Sequence, residues 1–272
     1  MKQQMMTLLA LCLAFAGMRA AVVDTLSIAN KYLDTPESVV VITPETGRAD
    51  ARYPTVYLLN GFSGDHKSWI KMRPDLPELA DRYGFVIVMP DGRDSWYWDS
   101  PVDPKMQMES FFVYDLVPYI DMHYPTFPEA SMRAVSGLSM GGHGALWLGM
   151  RHSDIWGSAA SMSGGVDIRP FPEKWKMKLR LGEKKDNEDV WNSHTVINLV
   201  PTLKPGQLNI AFDCGASDFF AAVNDDLHKA LLDAGIDHDY TSRPGTHSQA
   251  YWRNSLLYHL LFFNEAFKKA GK

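Results

Sequence analysis

The five residues Gly137-Leu138-Ser139-Met140-Gly141 fit the pattern GxSxG. They sit where a short apolar strand at 132–136 gives way to a helix rich in small residues, with Gly142, Gly144 and Ala145 ahead of Leu146, Trp147 and Leu148. Few backbones accept that arrangement. A serine on a strained strand-to-helix turn needs neighbours without a Cβ, because strand and helix crowd it from both sides. The motif alone arises by chance in roughly one chain in ten of this composition, so its surroundings carry the weight.

The surroundings predict an α/β protein with a mostly parallel central sheet flanked by helices. Residues 38–42, 55–59 and 85–89 read as strands, the last two as near-continuous apolar runs suited to burial on both faces. Helices are predicted over 70–83 and 110–122 and after Ser139. Strands follow at 157–162, 208–212 and 238–242, with a helix over 221–234 and a final one over 249–269. This alternation is that of a parallel sheet, whose ligands bind in the loops beyond the carboxyl ends of the strands. Residues 165–205 carry Pro170, Pro172 and a basic run from Lys174 to Lys185, and are expected to form a small cap. Those cations read as a solvated face rather than an anion site.

At 272 residues with 46% hydrophobic content and no repeats or linkers, residues 21–272 are expected to form one domain. Residues 1–20 read as a signal peptide: Lys2 precedes an apolar run that is too short to span a membrane and ends in small residues. Secretion or periplasmic export follows. Leu11 before Cys12 is too bulky for a typical lipoprotein signal, which argues against a lipid anchor. With the leader removed, only Cys214 remains, so no internal disulfide is expected. A formal net charge of −5 disfavours nucleic acid and anionic membrane as partners.

A serine hydroxyl needs a base to take its proton, and that base needs an acid to fix its tautomer. Two post-strand loops downstream supply both. The first holds Asp213 and Asp218, and the second, Arg243-Pro244-Gly245-Thr246-His247-Ser248, holds the favoured base. Of the two acids, Asp218 lies deeper in its loop and is preferred; chain logic leaves Asp213 open. The other histidines read as structural, with His143 on the surface of the helix after Ser139. The developing oxyanion calls for backbone N–H donors, assigned to Met140 and, in the turn Asn60-Gly61-Phe62 after an early strand, to Phe62.

Together these motifs resemble the esterase D-like branch of the α/β hydrolases, which includes carbohydrate esterase family 1 feruloyl and acetylxylan esterases, S-formylglutathione hydrolases, tributyrin-type esterases and mycolyltransferases. The resemblance rests on Tyr57-Leu58-Leu59-Asn60-Gly61-Phe62 with Asp65-His66 and Trp69, on Gly137 to Gly142, on Asp213-Cys214-Gly215 with Asp218-Phe219, and on Pro244-Gly245 with His247, Tyr251 and Trp252. It implies an α/β-hydrolase fold and places the acid at Asp218. Two positions depart from the family: Asn60 where His is frequent, and Gln249 where Trp is frequent. The stretch from Pro90 to Trp98 resembles a pocket-lining segment of the polysaccharide-acting members, which assigns Trp96 and Trp98 to the substrate pocket, with core packing an equal use for one of the two; Gln249, at the second departing position, is assigned to the pocket as well.

The expectation is an exported serine carboxylesterase that needs no metal or cofactor and acts on a small or polysaccharide-linked ester, feruloyl or acetyl. Rival expectations are acyl transfer to a sugar acceptor, short-chain or S-formylglutathione hydrolysis, and a non-catalytic carbohydrate-binding protein on the same fold.

Overall fold

The computed structural model describes residues 20–45 and 51–271, so the expected leader and Cys12 lie outside the described residues. Eight strands form one sheet in the order β1-β2-β4-β3-β5-β6-β7-β8. These are β1 (Val22–Ile28), β2 (Glu37–Thr43), β3 (Thr55–Leu59), β4 (Val86–Pro90), β5 (Arg133–Leu138), β6 (Ser158–Met162), β7 (Asn209–Gly215) and β8 (Asp239–Arg243). From β4 to β8 every neighbouring pair is parallel, while β2 runs antiparallel to both β1 and β4.

The helices are α1 (Ser68–Met72), α2 (Leu76–Tyr83), α3 (Met108–Phe111), α4 (Val117–His123), α5 (Met140–Arg151), α6 (Met177–Leu181), α7 (Glu188–Ser193), α8 (Ala221–Asp233) and α9 (Gln249–Ala270). Alternate residues of the central strands face two separate cores. Tyr57, Leu59, Val86, Val88 and Val135 pack with α5 and α8 on one side, and Val56, Leu58, Ile87 and Ala134 with α2 and α9 on the other. Two-sided burial explains the continuous apolar runs of β3 and β4.

Three details depart from expectation. The helix expected over 70–83 is split into α1 and α2, because Pro74 and Pro77 remove amide donors and the chain turns at Arg73. Strand β1 has no continuous apolar signal: it lies at the sheet edge, with Val22 and Val23 exposed. The basic segment is only partly a solvated face. Lys178 pairs with Glu173 and Glu183 at the surface, but the Arg180 side chain is largely buried and pairs with Asp94 and Asp103, riveting the cap to the loop after β4. Met177, Leu181, Trp191 and Val196 of the cap are part of the core.

Candidate active site

Ser139 stands between β5 and α5 with φ 56° and ψ −117°, a conformation that costs on the order of 1–3 kcal/mol for a residue with a side chain. Its amide donates to the Met162 carbonyl at 2.9 Å, anchoring the turn on β6. A Cβ on Gly137 would stand 2.2 Å from the Gly141 carbonyl oxygen, and one on Gly141 2.4 Å from the Leu59 oxygen. Both glycines are thus obligatory. Without them the helix could not close onto β3 and β5, and the serine would lose its exposed perch.

His247 Nε2 lies 2.8 Å from Ser139 Oγ, and His247 Nδ1 lies 2.9 and 3.1 Å from the two oxygens of Asp218. A carboxylate only accepts, so Nδ1 carries the proton and Nε2 is left to receive the serine hydroxyl. The Asp218 side chain is fully buried, and its Oδ1 also accepts from the Phe220 amide at 2.9 Å. Phe219 at 4.3 Å and Trp252 at 4.8 Å from the imidazole centroid hold the ring from two sides. Asp213, the other candidate acid, does not reach His247. It points into the opposite core, where it binds His259 and Ser255.

The loop after β3 passes close over the elbow: a Cβ on Gly61 would lie 3.4 Å from that of Ser139. Phe62 follows it along the cleft wall, and Met140 opens α5 directly behind the serine. Asn60 supports this loop from below. Its side-chain oxygen accepts from the Gly92 amide at 2.8 Å and its Nδ2 donates to the Gly61 carbonyl at 3.0 Å, while the Tyr97 hydroxyl donates to the Asn60 carbonyl at 3.0 Å. A sequence reading of Asn60-Gly61 as a turn misses this role, because two of its three partners, Gly92 and Tyr97, come from the loop after β4.

The serine opens into a cleft of about 500 Å³ lined by Phe62, Met72, Trp175, Phe219, Gln249 and Trp252 among others. Gln249 lines this cleft. Trp96 and Trp98 do not: with 1% and 0% exposure they stack on each other beneath it, and Trp98 Nε1 donates to His143 Nε2 at 2.8 Å. His143 in turn is wholly buried rather than on the helix surface, with Nδ1 2.9 Å from the Gly165 carbonyl. Burial pushes its pKa down to about 3, with His194 adding to the fall and the Gly165 carbonyl only partly opposing it. The aromatic wall comes instead from Trp175 in the cap, a residue with no local sequence signal, and from Phe219 and Trp252, each close in sequence to a member of the hydrogen-bonded trio.

The sequence profile of the esterase family, described as "Putative esterase", matches residues 31–263. The chain belongs to the esterase family. Among relatives, this esterase is 25% identical over 212 residues to an acetyl esterase of Caldicellulosiruptor saccharolyticus, covering 73% of this chain and 78% of that one. It is 26% identical over 223 residues to the S-formylglutathione hydrolase of Mus musculus, covering 69% and 77%. A solved ferulic acid esterase superposes with a TM-score of 0.76 at 26% identity, covering 90% of this chain and 98% of the other. The esterase therefore has the α/β-hydrolase fold, and ester hydrolysis is its chemistry.

Proposed function

We propose that this esterase is an exported serine carboxylesterase cleaving neutral carboxylic esters, with feruloyl or acetyl groups of plant polysaccharide as the preferred class. The observation that carries the reading is the hydrogen-bonded chain Asp218–His247–Ser139 ending in an aromatic-walled cleft. His247 takes the Ser139 proton as Oγ attacks the ester carbonyl, and Asp218 holds the imidazolium that forms. The amides of Phe62 and Met140 receive the oxyanion, His247 returns the proton to the departing alcohol, and water then releases the acyl group by the same steps in reverse.

No Lys or Arg is among the described residues lining the cleft, which favours an uncharged ester over a thiol ester of a carboxylate-bearing peptide. Trp175 and Phe219, stacked with centroids 5.6 Å apart, form a flat face at which a phenolic or sugar ring can lie, and Phe219 remains 51% exposed. The names of the acetyl esterase and ferulic acid esterase relatives agree with that class. Hydrolysis of p-nitrophenyl acetate by wild type, Ser139→Ala and His247→Ala is the first test. Both variants are expected to lose at least about 10³-fold in kcat; wild-type turnover by Ser139→Ala would refute the mechanism. A panel of methyl ferulate, acetylated xylan and tributyrin then ranks the substrates.

A further inference from the structure

A second serine, histidine and aspartate sit in hydrogen-bonding contact below the first set, on the face of the sheet covered by α9. Ser136 Oγ lies 2.8 Å from His259 Nδ1, and His259 Nε2 lies 3.0 Å from Asp213 Oδ2. Ser255 Oγ donates to Asp213 Oδ1 at 2.8 Å, and Arg243 Nη2 donates to Ser255 Oγ at 2.6 Å while standing 3.2 Å from that same carboxylate oxygen. Ser136, Asp213, Ser255 and His259 are all buried. Ser136 is wholly enclosed, so it is no second nucleophile.

Its placement along the chain is informative. Ser136 is on β5, three residues before Ser139; Asp213 is on β7, five before Asp218; Arg243 closes β8, four before His247. Ser255 and His259 belong to α9, which begins two residues after His247. Each strand that delivers a member of the upper trio thus has one polar contact in the lower set. Between β5 and β7 lies β6, where Ala160 pairs with Ser136 and Ala211; the imidazole, carried by α9 on that face, spans β6 from Ser136 to Asp213.

A buried carboxylate and imidazole beside a partly exposed guanidinium do little for stability over an apolar packing of equal volume, because desolvation offsets their attraction. Burial raises the Asp213 carboxyl, and the bonds and charges of His259, Arg243 and Ser255 more than offset it, holding the group below the usual carboxylate range. What such a network does supply is register. A one-residue slip of β5 or β7 would carry Ser136 or Asp213 to the other face and leave the partners unpaired.

We propose that Ser136, His259, Asp213 and Arg243 are positioning residues that hold the nucleophile, acid and base loops at hydrogen-bonding distance from one another. This rests on the triad reading above. A displacement of about 1 Å between reacting groups costs on the order of 10²-fold in rate, so a partial loosening is readable in kcat.

The test compares Ser136→Ala, His259→Leu and His259→Gln with wild type on p-nitrophenyl acetate. Competent sites are counted by titration to completion with an organophosphonate that esterifies serine. A merely structural role lowers the fraction of titratable sites and leaves turnover per site intact. The positioning role lowers kcat per titrated site by more than about threefold with KM unchanged, and His259→Gln, which keeps a donor towards Asp213, recovers part of the loss. A smaller fall in both Ser136→Ala and His259→Leu overturns the proposal. If His259→Leu yields no folded protein, Ser136→Ala decides alone, since it removes one oxygen atom. Ser139→Ala separates the two ideas: its full activity would sink the triad reading, whereas its inactivity beside wild-type turnover per site in the Ser136 and His259 variants would sink only the network.

Discussion

At the scale of single residues, the molecule uses histidine in three different ways. His247 is hydrogen-bonded on both ring nitrogens and keeps a face to the cleft. His259 is enclosed beside a carboxylate, and His143 is enclosed between the Trp98 N–H and the Gly165 carbonyl with no acid to support a positive charge. For His143, a folded pKa of about 3 against an ordinary 6.5 fixes the sign of its effect. Folding favours its neutral form, so its contribution is complete above pH 6.5 and is lost as pH falls towards 3. Denaturant titrations of wild type and His143→Gln are expected to show the stability gap narrowing by about 2 kcal/mol between pH 7 and pH 4.5. A gap independent of pH would show that this imidazole titrates normally.

At the scale of elements, strain is gathered at one end of the sheet. Every described non-glycine residue with positive φ lies in a segment following β3, β4, β5 or β6: Ser63; Arg93, Trp96 and Tyr97; Ser139; and Ser163, Trp175 and Lys176. These loops bend sharply because they meet over the cleft, and the buried aromatic layer under them holds the bends. The cap belongs to the same system. Its Trp175 carbonyl accepts from Trp96 Nε1 at 3.3 Å, and its ring packs on Phe171, Phe219 and Phe220. Replacing Trp175 by Ala removes one wall of the cleft without touching Ser139, Asp218 or His247. The expected result is a KM for methyl ferulate raised about tenfold, with ethyl acetate little affected; equal changes for both esters would remove Trp175 from substrate contact.

At the scale of the whole molecule, the core extends to the end of the strands opposite the chemistry. Phe267, near the end of α9, meets Phe85 edge-on at 5.3 Å beside the start of β4, far from the loops that carry Ser139 and His247. Phe267→Ala is expected to cost about 3 kcal/mol of unfolding free energy. Turnover per titrated site at 25 °C should stay at the wild-type value. A drop in turnover per site would show that α9 transmits disturbance along its whole length to the base loop.

The amino-acid sequence by itself determined the layered α/β architecture and the identity of Ser139, His247 and Asp218 as candidates. Those features are written in local terms: apolar periodicity, glycines where a Cβ cannot fit, and the order of acid and base loops after buried strands. Local chain logic left Asp213 and Asp218 open, since one lies near the end of β7 and the other in the loop just beyond it, and each stands beside a serine and a histidine. The family resemblance pointed to Asp218, and the tertiary structure supplies the physical reason: the pleat sends Asp213 to the α9 face while the loop beyond it returns Asp218 to the cleft. The same holds for Trp98 against Trp175. One lies in a motif that reads as a pocket and is buried against His143; the other has no motif and forms the wall. Which face a side chain occupies, and what crosses the sheet to meet it, is decided by pairings between residues far apart in the chain. No local pattern records them.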